Sequence, residues 1–231
     1  MRLLCLPYAG ASSAMFHSWD LWLDGIADVC PVRLPGRESR FAEPPFTTVA
    51  EAVTSLLEAI RFMHDRPLVL FGYSMGALIA YELARALEAH NQCPNALVIA
   101  ACSAPHLPRK REPSWNLPAP DFIERLHRLN GTPKEILKDS DAMNTLFPRL
   151  RADFRLVETY EHSPGAPLRC PVKAYGGLND EDAPLEQMEK WAKCTNGNFS
   201  LETFPDGHFF IARSSGRMLW SLAHFLAGLL V

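Results

Sequence analysis

One short stretch constrains this chain more than any other. Pro67-Leu68-Val69-Leu70-Phe71 runs into Gly72-Tyr73-Ser74-Met75-Gly76, and that runs into Ala77-Leu78-Ile79-Ala80-Tyr81-Glu82-Leu83. The first part is an apolar, β-prone run and the last is rich in Ala and Leu, so a strand must pass through a tight turn directly into a helix. Glycine suits positions 72 and 76 because a Cβ there would meet the neighbouring strand or helix. Ser74 then projects from the turn at a helix N-terminus, where backbone N–H groups stabilise negative charge. A G-x-S-x-G pattern alone arises by chance in about one such chain in ten, taking Gly and Ser at roughly 7% each. The strand before it and the helix after it give it weight as the elbow of a nucleophilic serine.

The same strand-then-helix rhythm continues on both sides. Strands are expected at Leu3–Leu6, Val29–Leu34, Leu68–Phe71, Ala96–Ala101, Val172–Tyr175 and Phe199–Phe204. Most are unbroken hydrophobic runs, as in parallel strands covered on both faces. Helices are expected at Val49–Met63, Met75–Ala89, Leu185–Lys193 and Arg217–Leu229. The fold class is therefore α/β, a mostly parallel sheet flanked by helices, and 231 residues suit a single domain 1–231. The rhythm fails once, between Ala101 and Val172, where the chain is too long for one crossover. Ten of the 19 prolines lie between Pro105 and Pro171. A Pro-rich loop from Pro105 to Pro120 precedes helical pieces at Asp121–Leu129, Pro133–Lys138, Asp141–Leu146 and Pro148–Glu161, with Pro133 and Pro148 read as first-turn residues. An insertion at about 105–166, arriving at the carboxyl ends of parallel strands, is expected to form a helical lid.

Composition removes several classes of function. A net charge of −3 lacks the basic footprint of a nucleic-acid binder. The six cysteines, Cys5, Cys30, Cys93, Cys102, Cys170 and Cys194, form no CxxC pair and no cysteine–histidine cluster, so no metal is expected and the thiols are read as reduced and mostly buried. The apolar start Leu3-Leu4-Cys5-Leu6 ends at Pro7, too short for an export signal, and no later run approaches a membrane span. A soluble, cytoplasmic protein, monomeric, without cofactor, nucleic acid or membrane partner, is expected.

A serine hydroxyl needs a base in hydrogen-bond reach and a carboxylate to orient that base, in the chain order Ser, Asp or Glu, His. His17, His64 and His90 precede or flank the wrong elements, His106, His127 and His162 belong to the insertion, and His224 lies inside the last helix. His208 remains, in Pro205-Asp206-Gly207-His208-Phe209-Phe210, a tight loop after the last strand. The acid belongs in Leu178-Asn179-Asp180-Glu181-Asp182, after the preceding strand and its Gly176-Gly177 turn. Asp180 comes soonest and is preferred; Asp182 is the alternative. An oxyanion hole needs two convergent N–H groups. Met75, after the nucleophile, supplies one, and Ala9 in the small-residue loop Pro7-Tyr8-Ala9-Gly10-Ala11 is expected to supply the other.

Taken together, Leu6-Pro7-Tyr8-Ala9-Gly10, Leu34-Pro35-Gly36-Arg37-Glu38, the Gly72–Gly76 elbow, Arg151-Ala152-Asp153-Phe154, Gly176-Gly177 and Gly207-His208-Phe209-Phe210 resemble the type II thioesterases of non-ribosomal peptide and polyketide synthase systems. The likeness spans essentially the whole chain. It departs at Ala11, where the family commonly has a second glycine, and at the first residues, where relatives carry a short lead-in. The resemblance implies an α/β-hydrolase fold and hydrolysis of acyl thioesters on the 4′-phosphopantetheine arms of acyl-carrier or peptidyl-carrier proteins, clearing stalled or aberrant groups. It implies Ser74, Asp180 and His208 as the triad, with Ala9 and Met75 as the oxyanion pair. Phe122, Leu126, Leu146, Phe147, Phe154 and Val157 either line an acyl chamber or pack the lid onto the sheet. Arg109-Lys110-Arg111 is either a solvated loop or a contact for an acidic carrier protein. The rival readings are a carboxylesterase or acyl-CoA thioesterase, which needs the same triad, and a non-catalytic carrier-binding module.

Overall fold

The computed structural model describes residues 1–63, 65–108, 112–129, 131, 135 and 140–230. Six strands, β1 (Arg2–Leu6), β2 (Asp28–Pro31), β3 (Leu68–Tyr73), β4 (Ala96–Ala100), β5 (Val172–Gly177) and β6 (Phe199–Phe204), form one sheet in the order β2-β1-β3-β4-β5-β6. Every neighbouring pair is parallel. All six expected strands are present. The second is shorter than the run Val29–Leu34 suggests: its register with β1 runs from Asp28 to Pro31 and its last bond to β1 is from the Val32 N–H to the Cys5 carbonyl.

Side chains alternate across this sheet as the pleat requires. Leu4 and Leu6 of β1, Leu68 and Leu70 of β3, and Leu97 and Ile99 of β4 point to one core layer. Leu3 and Cys5, Val69 and Phe71, and Ala96 and Val98 point to the other. The first layer is closed by α2 (Val49–Ile60) and α3 (Met75–Ala89), whose buried faces carry residues such as Leu56, Ile60, Leu83 and Leu87. Helix α2 begins in a capping box: Thr48 accepts from the Glu51 N–H while Glu51 accepts from the Thr48 N–H. The second layer is closed by a 3-10 turn at Ser13–Phe16, the short α1 (Asp20–Leu23) and the C-terminal helix, packed around Phe16, Trp19, Phe71 and Leu222.

Among the described residues, two helices of the insertion lie between β4 and β5: α4 (Ala119–Leu129) and α5 (Ser140–Glu158). Helix α5 is continuous through Pro148, which corrects the expectation of a helix start there. An interior proline costs about 3 kcal/mol. Packing on both sides of it offsets that, since Leu150 and Met143 join Phe122 and Leu126 of α4 in one cluster with Phe147 and Phe154 beside it. Glu158 accepts from the N–H groups of Ser114 and Trp115, at 2.7 and 2.8 Å, so α5 also holds the proline-rich loop. The expected helix Pro133–Lys138 lies, apart from Glu135, outside the described residues, as do His64 and Arg109-Lys110-Arg111. After β5 come α6 (Leu185–Met188) and a 3-10 segment, and the chain ends in α7 (Ile211–Gly228). Helix α7 starts six residues before the expected Arg217, with a non-helical Ser214 near its start. The glycine at 216 disguised that first turn and a half in the sequence. Among the described residues no helix is long and apolar enough to cross a membrane.

The strand order reverses direction at β1, whose two neighbours are β2 and β3. A crevice at the carboxyl ends of strands flanking such a switch point is where ligands bind in open parallel sheets. The loops after β1, β3, β5 and β6 all reach that end, and they carry Ala9, Ser74, Asp180 and His208.

Candidate active site

Ser74 sits between the last residue of β3 and the first of α3, with φ 51° and ψ −109°. This backbone conformation is rare for a residue with a side chain and persists only where the surroundings impose it. Here they do. A Cβ at Gly72 would stand 2.2 Å from the Gly76 carbonyl oxygen, and one at Gly76 would stand 2.2 Å from the Leu6 oxygen and 2.8 Å from that of Pro7. All these contacts are backbone, which cannot swing aside. Gly76→Ala is therefore expected to destabilise the fold by more than about 3 kcal/mol, or to leave the protein insoluble. A urea melt measures it; a midpoint within error of wild type contradicts this account of the elbow.

The strained turn holds the Ser74 hydroxyl toward the loop after β6. His208 Nε2 lies 3.1 Å from Ser74 Oγ, and His208 Nδ1 lies 2.8 Å from Asp180 Oδ2. The other oxygen of Asp180 accepts from the N–H groups of Asp182 and Ala183, each at 2.9 Å. Asp180 is 4% exposed. Burial alone raises its carboxyl, yet the hydrogen bond and charge of His208 and the two N–H groups outweigh burial, so its pKa lies below the ordinary aspartate value. Asp182 meets Arg125 of α4 instead, at 2.9 Å, and Glu181 is exposed. Of the competing carboxylates it is Asp180 that the fold brings onto the imidazole.

Rings fix His208 from the sides. Phe209 packs edge-on at 5.0 Å, Tyr8 packs on Phe209 at 5.1 Å, and the Tyr73 hydroxyl donates to the His208 carbonyl. The other histidines stand apart from Ser74 in their bonding. His224 is exposed and bonds the Trp220 carbonyl of its own helix. His106 bonds Cys194 and His162 bonds Tyr81.

The two expected oxyanion donors, Ala9 N–H and Met75 N–H, donate no hydrogen bond among the described residues. Met75 opens α3 at its positive end, and Ala9 and Ser74 face one cavity of about 2160 Å³. The insertion forms much of its wall. Leu126, Leu146, Phe154 and Val157 line it, whereas Phe122 and Phe147 face each other inside the insertion, at 5.3 Å. Four of the six residues thus face the cavity, while Phe122 and Phe147 pack α4 against α5 within the insertion and not onto the sheet.

Two groups of potential metal ligands come together among the described residues: Asp180, Asp182 and His208, and Glu88, Cys93 and Cys170. In the first, Arg125 and the N–H groups already compensate the carboxylates. In the second, partial desolvation and the Glu88 carboxylate push the Cys93 thiol up to about 11, and burial pushes the Cys170 thiol up to about 12, so both hold their protons near neutral pH. All six cysteines are free thiols, three of them buried, two half-buried and Cys93 exposed. The expectation that most are buried holds only for Cys5, Cys170 and Cys194.

Sequence reasoning passed over a cluster beside the Ala9 loop. Arg37, in the loop after β2, pairs with Asp153 of α5 at 2.6 Å, and both are 2% exposed. Both residues stand in segments that carry the family likeness, but their spacing of over a hundred positions hides the pairing. Glu38, beside Arg37, accepts from the N–H and hydroxyl of Ser13.

Comparison with known proteins identifies the family. Residues 1–225 match the thioesterase domain family. The gramicidin S biosynthesis protein GrsT of Aneurinibacillus migulanus is 38% identical over 220 residues, which cover 95% of this chain and 86% of that one. The solved type II thioesterase BorB, from the borrelidin biosynthetic cluster, superposes with a TM-score of 0.89 at 34% identity, over 97% of this chain and 92% of that one. RedJ, a thioesterase of the prodiginine pathway in Streptomyces coelicolor, gives 0.87 at 37% identity, over 96% and 84%. A parallel sheet with a serine elbow after its third strand and a helical insertion after its fourth defines an α/β-hydrolase. Within that class, the chain belongs to the thioesterase domain family and is a thioester hydrolase.

Proposed function

We propose that this chain is a type II thioesterase that removes stalled or aberrant acyl groups from the 4′-phosphopantetheine arms of carrier proteins in non-ribosomal peptide or polyketide synthesis, in the cytoplasm. The observation that carries the reading is the unbroken line Ser74 Oγ, His208, Asp180, opening into a cavity lined by Ser74 and Ala9, with Met75 next to the nucleophile in the first turn of α3. The names of GrsT and BorB support the biosynthetic setting.

The geometry suits acyl transfer in two halves. Ser74 Oγ attacks the thioester carbonyl carbon while His208 Nε2 takes the hydroxyl proton and Asp180 steadies the imidazolium. The N–H groups of Ala9 and Met75 hold the negative oxygen of the tetrahedral intermediate. Its collapse breaks the carbon–sulfur bond, and His208 returns the proton to the departing pantetheine thiolate. Water then gives a proton to His208 and attacks the acyl-serine carbonyl. Collapse of the second intermediate releases the acid and restores Ser74. The insertion is the lid of this single-domain enzyme, and Leu126, Leu146, Phe154 and Val157 receive the acyl chain.

Initial rates on acyl-carrier protein, acyl-CoA and p-nitrophenyl ester of the same acyl group test the reading. The carrier thioester should give the highest kcat/KM, by about tenfold or more; fastest turnover of the oxygen ester points to a carboxylesterase and sinks it.

A further inference from the structure

We infer that Arg37 and Asp153 are positioning residues that hold the oxyanion loop in its working shape, so that the lid helix α5 is part of the machinery for stabilising the transition state. The inference rests on Ala9 as an oxyanion donor, as proposed above. Residues 8–11 form a tight turn in which Ala11 N–H donates to the Tyr8 carbonyl at 3.0 Å and Gly10 occupies φ +84°. That is the third-position conformation of a type II turn, which favours glycine. Every remaining polar group of the turn's second half is taken by the cluster. Gly10 N–H donates to Asp153 Oδ2 at 2.7 Å, and the Gly10 carbonyl accepts from Arg149 at 3.1 Å. The Ala11 carbonyl accepts from Arg37 at 2.8 Å, and Arg37 closes the ring on Asp153 Oδ1 at 2.6 Å. Leu150, between the two lid residues, sits directly on Gly10, where a Cβ would come within 2.6 Å of it.

Stability is a poor explanation for this arrangement. A fully buried ion pair commonly does no better than well-packed apolar residues of the same volume. What the pair does here is fix the turn adjoining Ala9 from two other segments at once, the β2 loop and α5. A donor fixed before the reaction needs no rearrangement when the oxyanion forms, and a donor displaced by about 1 Å can cost 10²-fold in rate. The contribution appears in the transition state, so it should affect kcat far more than KM.

The experiment compares wild type with Asp153→Ala, Asp153→Asn and the double variant Arg37→Met/Asp153→Leu, on an acyl-carrier thioester and on a p-nitrophenyl ester. A second readout is inhibition by an acyl trifluoromethyl ketone. Its carbonyl carbon bonds to Ser74 Oγ, the serine proton moves to His208, and the ketone oxygen becomes an oxyanion in the hole. In Asp153→Ala and the double variant, kcat is expected to fall by about 10- to 100-fold on both substrates. The ketone inhibition constant should rise by the same factor, and KM should move by less than about threefold. Asp153→Asn, which keeps one acceptor, should fall by about fivefold, and it carries the test if the larger changes do not fold. The double variant separates positioning from stability, since it should melt as wild type does and still turn over slowly. A double variant with wild-type kcat overturns the inference, and so does a ketone constant that stays fixed while kcat falls. Loss of activity on the carrier thioester alone, in wild type, counts against the proposed substrate and leaves the ester arm to decide on the clamp.

Discussion

Ser74→Ala is expected to lower thioester hydrolysis by about 10⁴- to 10⁶-fold, the range seen when the nucleophile of a serine triad is removed. His208, Asp180 and the two N–H donors remain in place, so what survives is the contribution of binding and of the oxyanion hole to direct attack by water. The hydroxyl is small and partly exposed, so the fold should be unharmed; relief at the strained elbow is not expected, because alanine keeps the Cβ. Mass spectrometry of a defined acyl-carrier protein after exposure to each form reads the acyl group directly. Hydrolysis within tenfold of wild type means that Ser74 is not the nucleophile. Full biological function in Ser74→Ala would favour the non-catalytic binding module over an enzyme.

The second large effect concerns the acid. Asp180→Asn is expected to lower kcat by about 10⁴-fold, because an amide at that position stabilises the wrong imidazole tautomer and provides no charge for the imidazolium. Asp182→Asn is expected to lose less than about tenfold. Asp182 bonds Arg125 of the insertion, so its loss loosens a lid contact and leaves the imidazole partner intact. The two variants together separate the carboxylates that the sequence alone left in competition. Equal losses in both would show that the acidic loop acts as a field, without one orienting residue.

The ease of reading this fold from its sequence follows from which forces are local. Strands β1, β3 and β4 are continuous apolar runs because both faces are buried, and such runs are visible without knowledge of partners. Half of the elbow is visible for the same reason: Gly72 answers to Gly76 only four residues away, whereas Gly76 answers to Leu6 and Pro7 on β1 and its loop. His208 was reachable by elimination, since chain order and loop character discard the other histidines. Asp180 was preferred over Asp182 on spacing, yet what separates them is the pairing of Asp182 with Arg125, 57 positions away. Pro148 misled because a propensity acts on one residue, whereas the packing that overrides it spans the clusters on both sides. Arg37 and Asp153 each stand in a segment that carries the family likeness, yet nothing local shows that they pair. A charged residue in a loop and another on a helix look like ordinary surface groups until the fold closes over both.

The sheet order has a consequence for the making of the protein. On the proposed triad, Ser74 directly follows the third strand from the N-terminus, but the base it needs follows β6, and β6 pairs only with β5 at the sheet edge. The contact between Ser74 and His208 spans 134 positions and cannot close before the loop after β6 has been made. A ribosome that has delivered the elbow has delivered an inert serine, and it remains inert through the synthesis of the whole insertion. Hydrolytic competence arrives with the last strand and the loop that carries His208. The topology therefore acts as a timer: a truncated or half-folded copy holds the nucleophile without its base and leaves the thioesters around it intact.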